Sequence, residues 1–179
     1  MLTSDGRIAL RRYVPDDVDA LYAAVDESRA VIGRWMPWCH PAYGHEDAAH
    51  WVNTREQAWA EGSELSMLIV DAASGSLLGS SGLNQFNRIN GFANLGYWVR
   101  ASAQRQGVAS AAARLVASYA FGSVGLDRVE ILAAVDNVAS QRTAERVGAH
   151  FEGICRNRLK QFGGVADAAL YALIPADLA

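Results

Sequence analysis

Gln104-Arg105-Gln106-Gly107-Val108-Ala109-Ser110 is the stretch whose residue types and spacing can do chemistry. It follows the apolar run Tyr97-Trp98-Val99 and opens a segment of helical period. The first N–H groups of a helix have no partner inside it, and the helix dipole adds partial positive charge there. Small residues at Gly107, Ala109 and Ser110 let an anion approach that backbone, and Arg105 puts a full charge at the rim. The pattern predicts a phosphate site. The competing reading of the same residues is a glycine that makes a turn and an alanine that permits packing.

A second constellation is Asn137-Val138-Ala139-Ser140, followed by Ala144-Glu145-Arg146-Val147-Gly148-Ala149-His150-Phe151-Glu152-Gly153. Asn137 suits a helix N-cap. Ser140 either satisfies a backbone group in the first turn or turns its hydroxyl to a ligand, and both readings stand. Glu130 is the single charge in the strand-like run that ends at Val135, so it is either a proton acceptor or a salt-bridged strand position. Trp35-Met36-Pro37-Trp38 joins two helical segments and supplies aromatics for a pocket or for the core. His45-Glu46-x-x-x-His50 resembles a zinc motif but is one residue too long. Its histidines would sit roughly 140° apart around a helix, so no metal is expected. There is no G-x-S-x-G elbow, no G-x-G-x-x-G and no Gly-Lys-Ser/Thr.

The elements that must position these residues follow from periodicity. Ile8 to Tyr13 is a strand, and Pro15-Asp16-Asp17 starts a helix with Val18, Leu21, Tyr22 and Val25 on one face. A second helix follows His45. Strands are predicted at Leu65 to Val70, Leu77 to Leu83 and, after the hairpin signal Asn90-Gly91, Ala93 to Arg100. A helix from Gly107 ends at Phe121-Gly122, then Arg128 to Val135 is a strand, Asn137 caps a helix that stops at Gly148, and Ala169 to Ile174 closes the sheet. The order β-α-α-β-β-β-α-β-α-β predicts an α/β mixed sheet with helices on its faces.

The 179 residues suit one domain, 1–179, with no repeat or linker to divide it. The net charge of −3 lacks the basic excess of a general nucleic-acid binder, and a mildly acidic surface does not repel a cationic amine. No apolar run reaches the ~18 residues of a membrane span, and Met1 to Arg12 has no apolar signal region. Cys39 and Cys155, far apart and in no metal spacing, are read as reduced thiols. The expectation is a cytoplasmic protein with no membrane partner and no direct nucleic-acid partner.

The two constellations together carry a resemblance. Gln-x-x-Gly-x-Ala at 104–109 resembles the pyrophosphate motif of the GNAT acetyltransferases, and the segment from Asn137 to Gly153 resembles their second cofactor motif. Leu95-Gly96-Tyr97-Trp98, the Trp35–Trp38 loop and Gly164…Asp167…Tyr171 look like the RimJ/RimL branch, which acetylates protein N-termini. The resemblance implies a mostly antiparallel sheet splayed between two parallel strands. It implies acetyl-CoA as co-substrate, with pantetheine along Tyr97, Trp98 and Val99 and pyrophosphate on the backbone from Gln104 to Ser110. It also implies an oxyanion donor at the Val99 N–H, Asn137 against pantetheine and Ser140 against the leaving thiolate. Trp35, Trp38 and Tyr97 would wall the acceptor pocket. Many relatives carry Glu where this chain has Asn94, so the base is open among Glu130, Glu46, Asp47, His40, His45 and a chain of waters. A protein N-terminus or a small amine would be the acceptor and a homodimer the assembly. Loss of that Glu also leaves room for a non-catalytic sensor of acetyl-CoA.

Overall fold

A computed structural model describes residues 1–178. Eight strands form one sheet: β1 (Thr3–Ser4), β2 (Ile8–Arg11), β3 (Leu65–Asp71), β4 (Leu77–Asn87), β5 (Phe92–Val99), β6 (Arg128–Ala134), β7 (His150–Gln161) and β8 (Gly164–Leu173). Four α-helices accompany them: α1 (Val18–Ile32), α2 (His45–Glu61), α3 (Val108–Tyr119) and α4 (Val138–Val147). The strand order is β1-β2-β3-β4-β5-β6-β8-β7. Every neighbouring pair is antiparallel except β5 and β6.

The apolar run Leu65 to Val70 needs no alternation because β3 is covered on both sides. Leu65, Met67 and Ile69 pack with α3 in one core, while Leu68 and Val70 pack with α1 and α2 in the other. Helix α3 offers Ala112, Ala113, Val116 and Ala117 to the first core, all fully buried. Three alanines among these four let the helix sit close to the sheet.

The parallel pair decides the shape of the site. β5 and β6 pair only through Phe92–Asn94 against Arg128–Glu130. Beyond that point the strands diverge, so the β6-facing edge of β5 from Leu95 onward has no strand partner. This is the splay that the resemblance implied, in a mixed, mostly antiparallel sheet with helices on both faces.

Some boundaries differ from expectation. The third helix does not stop at Phe121-Gly122: a widened turn runs through Val124, and Gly125 at φ +78° closes it with Leu126 N–H donating to the Ala120 carbonyl. β4 continues four residues past Leu83, through an irregularity where Gln85 has φ +50°. The sequence reading has no strand at 150–161, yet β7 is the longest strand and β8 starts five residues before Ala169. β7 is an edge strand that pairs only with β8, and most of its side chains are exposed. No buried face imposes an alternating pattern on it.

Candidate active site

The backbone between β5 and α3 makes an anion cradle. Arg105 and Gly107 both have positive φ, +61° and +75°, and Gly107 is the residue before the first turn of α3. The left-handed pair turns the chain sharply enough to aim the free N–H groups of the helix start back toward β5. Gln104 closes the turn by donating its side-chain amide to the Val99 carbonyl at 3.2 Å. The loop is tied from behind by α1. Ser28 Oγ accepts from the Ala101 N–H at 2.8 Å, and Glu27 Oε1 accepts from the Ser102 N–H at 2.7 Å. The Arg100 guanidinium also binds Glu27, and with the Ser102 N–H it holds that carboxyl down at about 2.

A cleft of about 870 Å³ runs along the splay. Tyr97, Trp98, Val99, Gln104, Arg105, Gly107, Val108 and Ala109 line it from β5 and the cradle, Asn137 and Ser140 from the start of α4, and Trp35 and Trp38 from the loop after α1. Three expected site residues are not on its wall: Gln106, Ser110 and Glu130. Gln106 gives its carbonyl to Arg7 and its side-chain amide to the Ser102 carbonyl. Glu130 lies in the short parallel pair opposite Asn94, where Arg128 holds its carboxylate at 3.0 Å. Arg128 in turn grips Glu152 on β7, so Glu130 belongs to an ion-pair network.

Across the splay, two hydroxyls meet. Tyr97 Oη lies 3.1 Å from both Ser140 Oγ and the Ser140 carbonyl. Burial pushes the Tyr97 phenol up to about 12, so it stays protonated and able to donate. Asn137 caps α4 by accepting from the Ser140 N–H at 3.1 Å, which fixes the turn that carries the serine. Asn94 donates its amide to Asn84 Oδ1 at 2.9 Å.

A second cavity of about 400 Å³ lies toward α1 and α2 and shares Met36, Trp38, Asn84, Gly96, Tyr97 and Trp98 with the cleft. The two spaces therefore meet at the middle of β5. Trp38 stands at their border, with ring centroids 6.0 Å from Trp98 and 5.8 Å from Tyr43. Of the expected base candidates, Asp47 and His40 line this cavity, whereas Glu46 does not and His45 bonds Asp19 at 2.6 Å. Asp47 already accepts from the Gly44 N–H at 2.7 Å. Sequence reasoning missed Glu64 and His50 on this wall. Glu64 is bound by Arg55 at 2.7 Å and by Ser66 at 2.8 Å.

It also gave no individual role to Arg142, Thr143 and Arg146 on α4, which line the cleft, although Arg146 stands within the second motif. Their i, i+1 and i+4 spacing within a helix that begins at Asn137 was a usable signal. Leu159, Lys160 and Gln161 of β7 line it too, without any such signal. Cys39 is buried and Cys155 half-buried, both as free thiols, and burial pushes the Cys39 thiol up. Among the described residues no three His, Cys, Asp or Glu side chains cluster as metal ligands, and no helix is long and apolar enough to cross a membrane.

Comparison with known proteins decides what this geometry belongs to. Residues 7–150 match the acetyltransferase (GNAT) domain family. The chain belongs to the GNAT acetyltransferases. This GNAT protein is 30% identical over 172 residues to the provisionally named ribosomal N-acetyltransferase YdaF of Bacillus subtilis (strain 168), covering 93% of this chain and 91% of that one. Its fold matches the ribosomal L7/L12 α-N-protein acetyltransferase RimL in complex with coenzyme A, with a TM-score of 0.86, 25% identity and 97% of each chain covered. A Salmonella typhimurium acetyltransferase described as modifying the N-terminal serine of ribosomal protein L7/L12 matches at a TM-score of 0.84, 24% identity and 97% of each chain. The GNAT chain is thus an N-acetyltransferase whose structural relatives include RimL- and RimJ-type enzymes.

Proposed function

We propose that the protein transfers the acetyl group of acetyl-CoA to the α-amine at the N-terminus of a protein. One observation carries the co-substrate: the anion cradle and the unpaired edge of β5 open on the same cleft. The cradle suits a pyrophosphate, and Arg105, Arg142 and Arg146 add cationic charge along the wall. The free edge of β5 suits the amides of a pantetheine arm, which pair with it as an added strand would. That arm ends in a thioester, the activated acyl group the reaction needs.

The residues then have the following parts. The β5 backbone at Val99 supplies an N–H for the oxyanion that forms when the amine attacks. The amine nitrogen bonds to the acyl carbon, the C–S bond breaks, and the thiolate receives a hydrogen bond from Ser140, itself oriented by Tyr97. Trp35 and Trp38 wall the approach of the acceptor, which reaches β5 through the second cavity.

The proton lost by the amine passes to water. Asn94 cannot accept it at neutral pH, Glu130 is held by Arg128 off the cleft wall, and Asp47 and Glu64 are engaged by their own partners, which leaves on the second cavity's wall the imidazoles of His40, 3.9 Å from Asp47, and His50, neither of them a strong base. Without a strong base, an amine that is part-neutral at physiological pH is favoured. An α-amine near ~8 fits this, and an alkyl-ammonium near ~10 does not. The relatives named for N-terminal and ribosomal acceptors support the same class.

The test is release of free thiol from acetyl-CoA with serine-initiated peptides and small amines, run beside calorimetry of coenzyme A binding. Ala109→Glu provides the matched variant. Position 109 sits in the first turn of α3, where an acidic residue is compatible with the helix, while Gly107 carries a positive φ that a side chain would strain. Ala109→Glu should leave the melting temperature near wild type and weaken coenzyme A at least 10-fold. Undiminished affinity in the folded variant would remove the cradle from the cofactor site. Binding of acetyl-CoA with no thiol release toward any amine would favour a sensor over an enzyme.

A further inference from the structure

The second cavity holds polar groups that the fold leaves without partners. Tyr43 on its wall is only 7% exposed, yet its hydroxyl makes no hydrogen bond among the described residues. That hydroxyl is not sealed in protein, since the only sealed side-chain polar atom without a partner there is Gln161 Nε2. The phenol therefore opens on the cavity. Burial first, and the Asp47 carboxylate second, push it up, so it stays protonated.

Most of its neighbours on the wall are engaged. Tyr13 donates to Ser80 Oγ at 2.7 Å, and Ser80 donates to the Met67 carbonyl at 2.9 Å. Glu64 is offset by Arg55 at 2.7 Å and accepts a further bond from Ser66. Asp47 differs. One of its oxygens accepts from the Gly44 N–H at 2.7 Å, while the other has only the His40 ring at 3.9 Å, beyond hydrogen-bond distance. No Lys or Arg among the described residues pairs with it, and His50 adds only a second imidazole to the wall. One carboxylate oxygen and one hydroxyl are thus left for a ligand.

The rest of this wall is aromatic, with Trp38, Trp51 and Trp98 on it. A ring face attracts a cation, and Trp51 already holds the Arg55 guanidinium 3.7 Å from its centroid. Trp38 stands 41% exposed between Tyr43 and Trp98. A neutral hydroxyl would satisfy Tyr43 and Asp47 but leave the rings unused. An ammonium or guanidinium uses both, donating to the carboxylate and to the phenol oxygen.

We infer that this end of the second cavity binds a cationic group of the acceptor, a lysine or arginine side chain close to its N-terminus. The inference rests on the reading that a protein N-terminus reaches β5 through this cavity. Tyr43 lies two ring contacts from the reacting strand, 5.8 Å to Trp38 and 6.0 Å on to Trp98. An extended peptide advances about 3.5 Å per residue, so the side chain of its second or third residue falls at that remove. Tyr43 and Asp47 thus act as specificity-determining residues for a basic N-terminal sequence.

The test titrates the coenzyme A-bound full chain by calorimetry with serine-initiated hexapeptides that carry arginine, norleucine or glutamate at the second or third position. Thiol release from acetyl-CoA is followed with the same peptides. The arginine peptides should bind about 10-fold more tightly than the norleucine ones, and the glutamate peptides more weakly than either. Tyr43→Phe keeps the ring, and Asp47→Asn keeps an acceptor for the Gly44 N–H. Each should cut the arginine preference to under about 3-fold. Tyr43→Phe should also leave the melting temperature near wild type, because its hydroxyl has no protein partner to lose. Equal affinity for arginine and norleucine peptides overturns the site and leaves the N-terminal reading intact. A preference that survives both variants overturns the assignment to Tyr43 and Asp47. If no peptide binds but spermidine is acetylated, and Asp47→Asn raises its KM, the N-terminal reading fails and the cation site stands. Without that rise both fail.

Discussion

In the proposed reaction the Tyr97–Ser140 pair is where single atoms decide the chemistry. Ser140 was legible because it stands three residues after Asn137 in a recognisable pattern, and the N-cap reading of Asn137 holds in the fold. Its partner was not legible as a partner, since Tyr97 lies 43 residues away and only the splay brings the two together. The alternative role for Ser140, closing a backbone group of its own helix, is not what its hydroxyl does here. Ser140→Ala should lower kcat by roughly 10²-fold with little change in coenzyme A affinity. Tyr97→Phe keeps the ring on the cleft wall and should cost less, since it removes only the group that orients the serine. A phenol held up at about 12 does not titrate between pH 6 and 9. Tyr97→Phe should therefore leave the shape of the pH–rate profile unchanged, and single-turnover kinetics across that range checks both variants. Normal turnover by Ser140→Ala per folded molecule would leave the serine as a structural partner of Tyr97 with no part in the chemistry. Glu130 teaches the converse lesson. A lone acid in an apolar strand looks like a proton acceptor until the strand's edge is seen, where Arg128 and Glu152 complete an ion-pair network.

At the scale of elements, helices and buried strands were readable because each buries a face. α3 keeps its period through Ala112, Ala113, Val116 and Ala117, and β3 reads as a continuous apolar run because two cores claim its alternate residues. β7 was not readable, since exposed edge strands carry no such imprint. Its last residues, Leu159, Lys160 and Gln161, line the cleft, so the least legible element still shapes the site. The loop ahead of α3 yields a prediction of its own. Glu27 on α1 holds Arg100 and the Ser102 N–H, and its carboxyl is lowered from 4.5 to about 2 by the Arg100 guanidinium first. A lowered carboxyl stabilises the fold when ionised. Its contribution is present in full above the ordinary glutamate value and is lost as pH falls toward about 2. Glu27→Gln should cost under about 1 kcal/mol at pH 7, since the pair is partly exposed, and weaken coenzyme A by loosening the cradle. The difference in melting temperature from wild type should shrink below pH 4.5 and close near pH 2. A difference that persists undiminished at pH 2 would mean that the carboxylate is not what ties the loop.

At the scale of the molecule, two spaces meet along β5 at Gly96–Trp98, where the proposed reaction would join them. The anion cradle ahead of α3 was legible in the sequence because its backbone geometry demands small residues at fixed spacing. The second cavity was legible only at Trp38, Tyr97 and the base candidates His40 and Asp47, because its wall is drawn from α1, α2, β3, β4 and β5, whose residues follow no common spacing. The central claim is that a site without a strong base serves an α-amine. Its most direct test is the rate of acetylation, followed against pH, for two matched peptides: one with a free serine N-terminus and no lysine, the other N-terminally blocked and carrying one lysine. The free N-terminus should be acetylated faster throughout, with a rate that climbs as pH rises through the amine's own pKa near ~8. Faster acetylation of the blocked, lysine-bearing peptide would contradict the account.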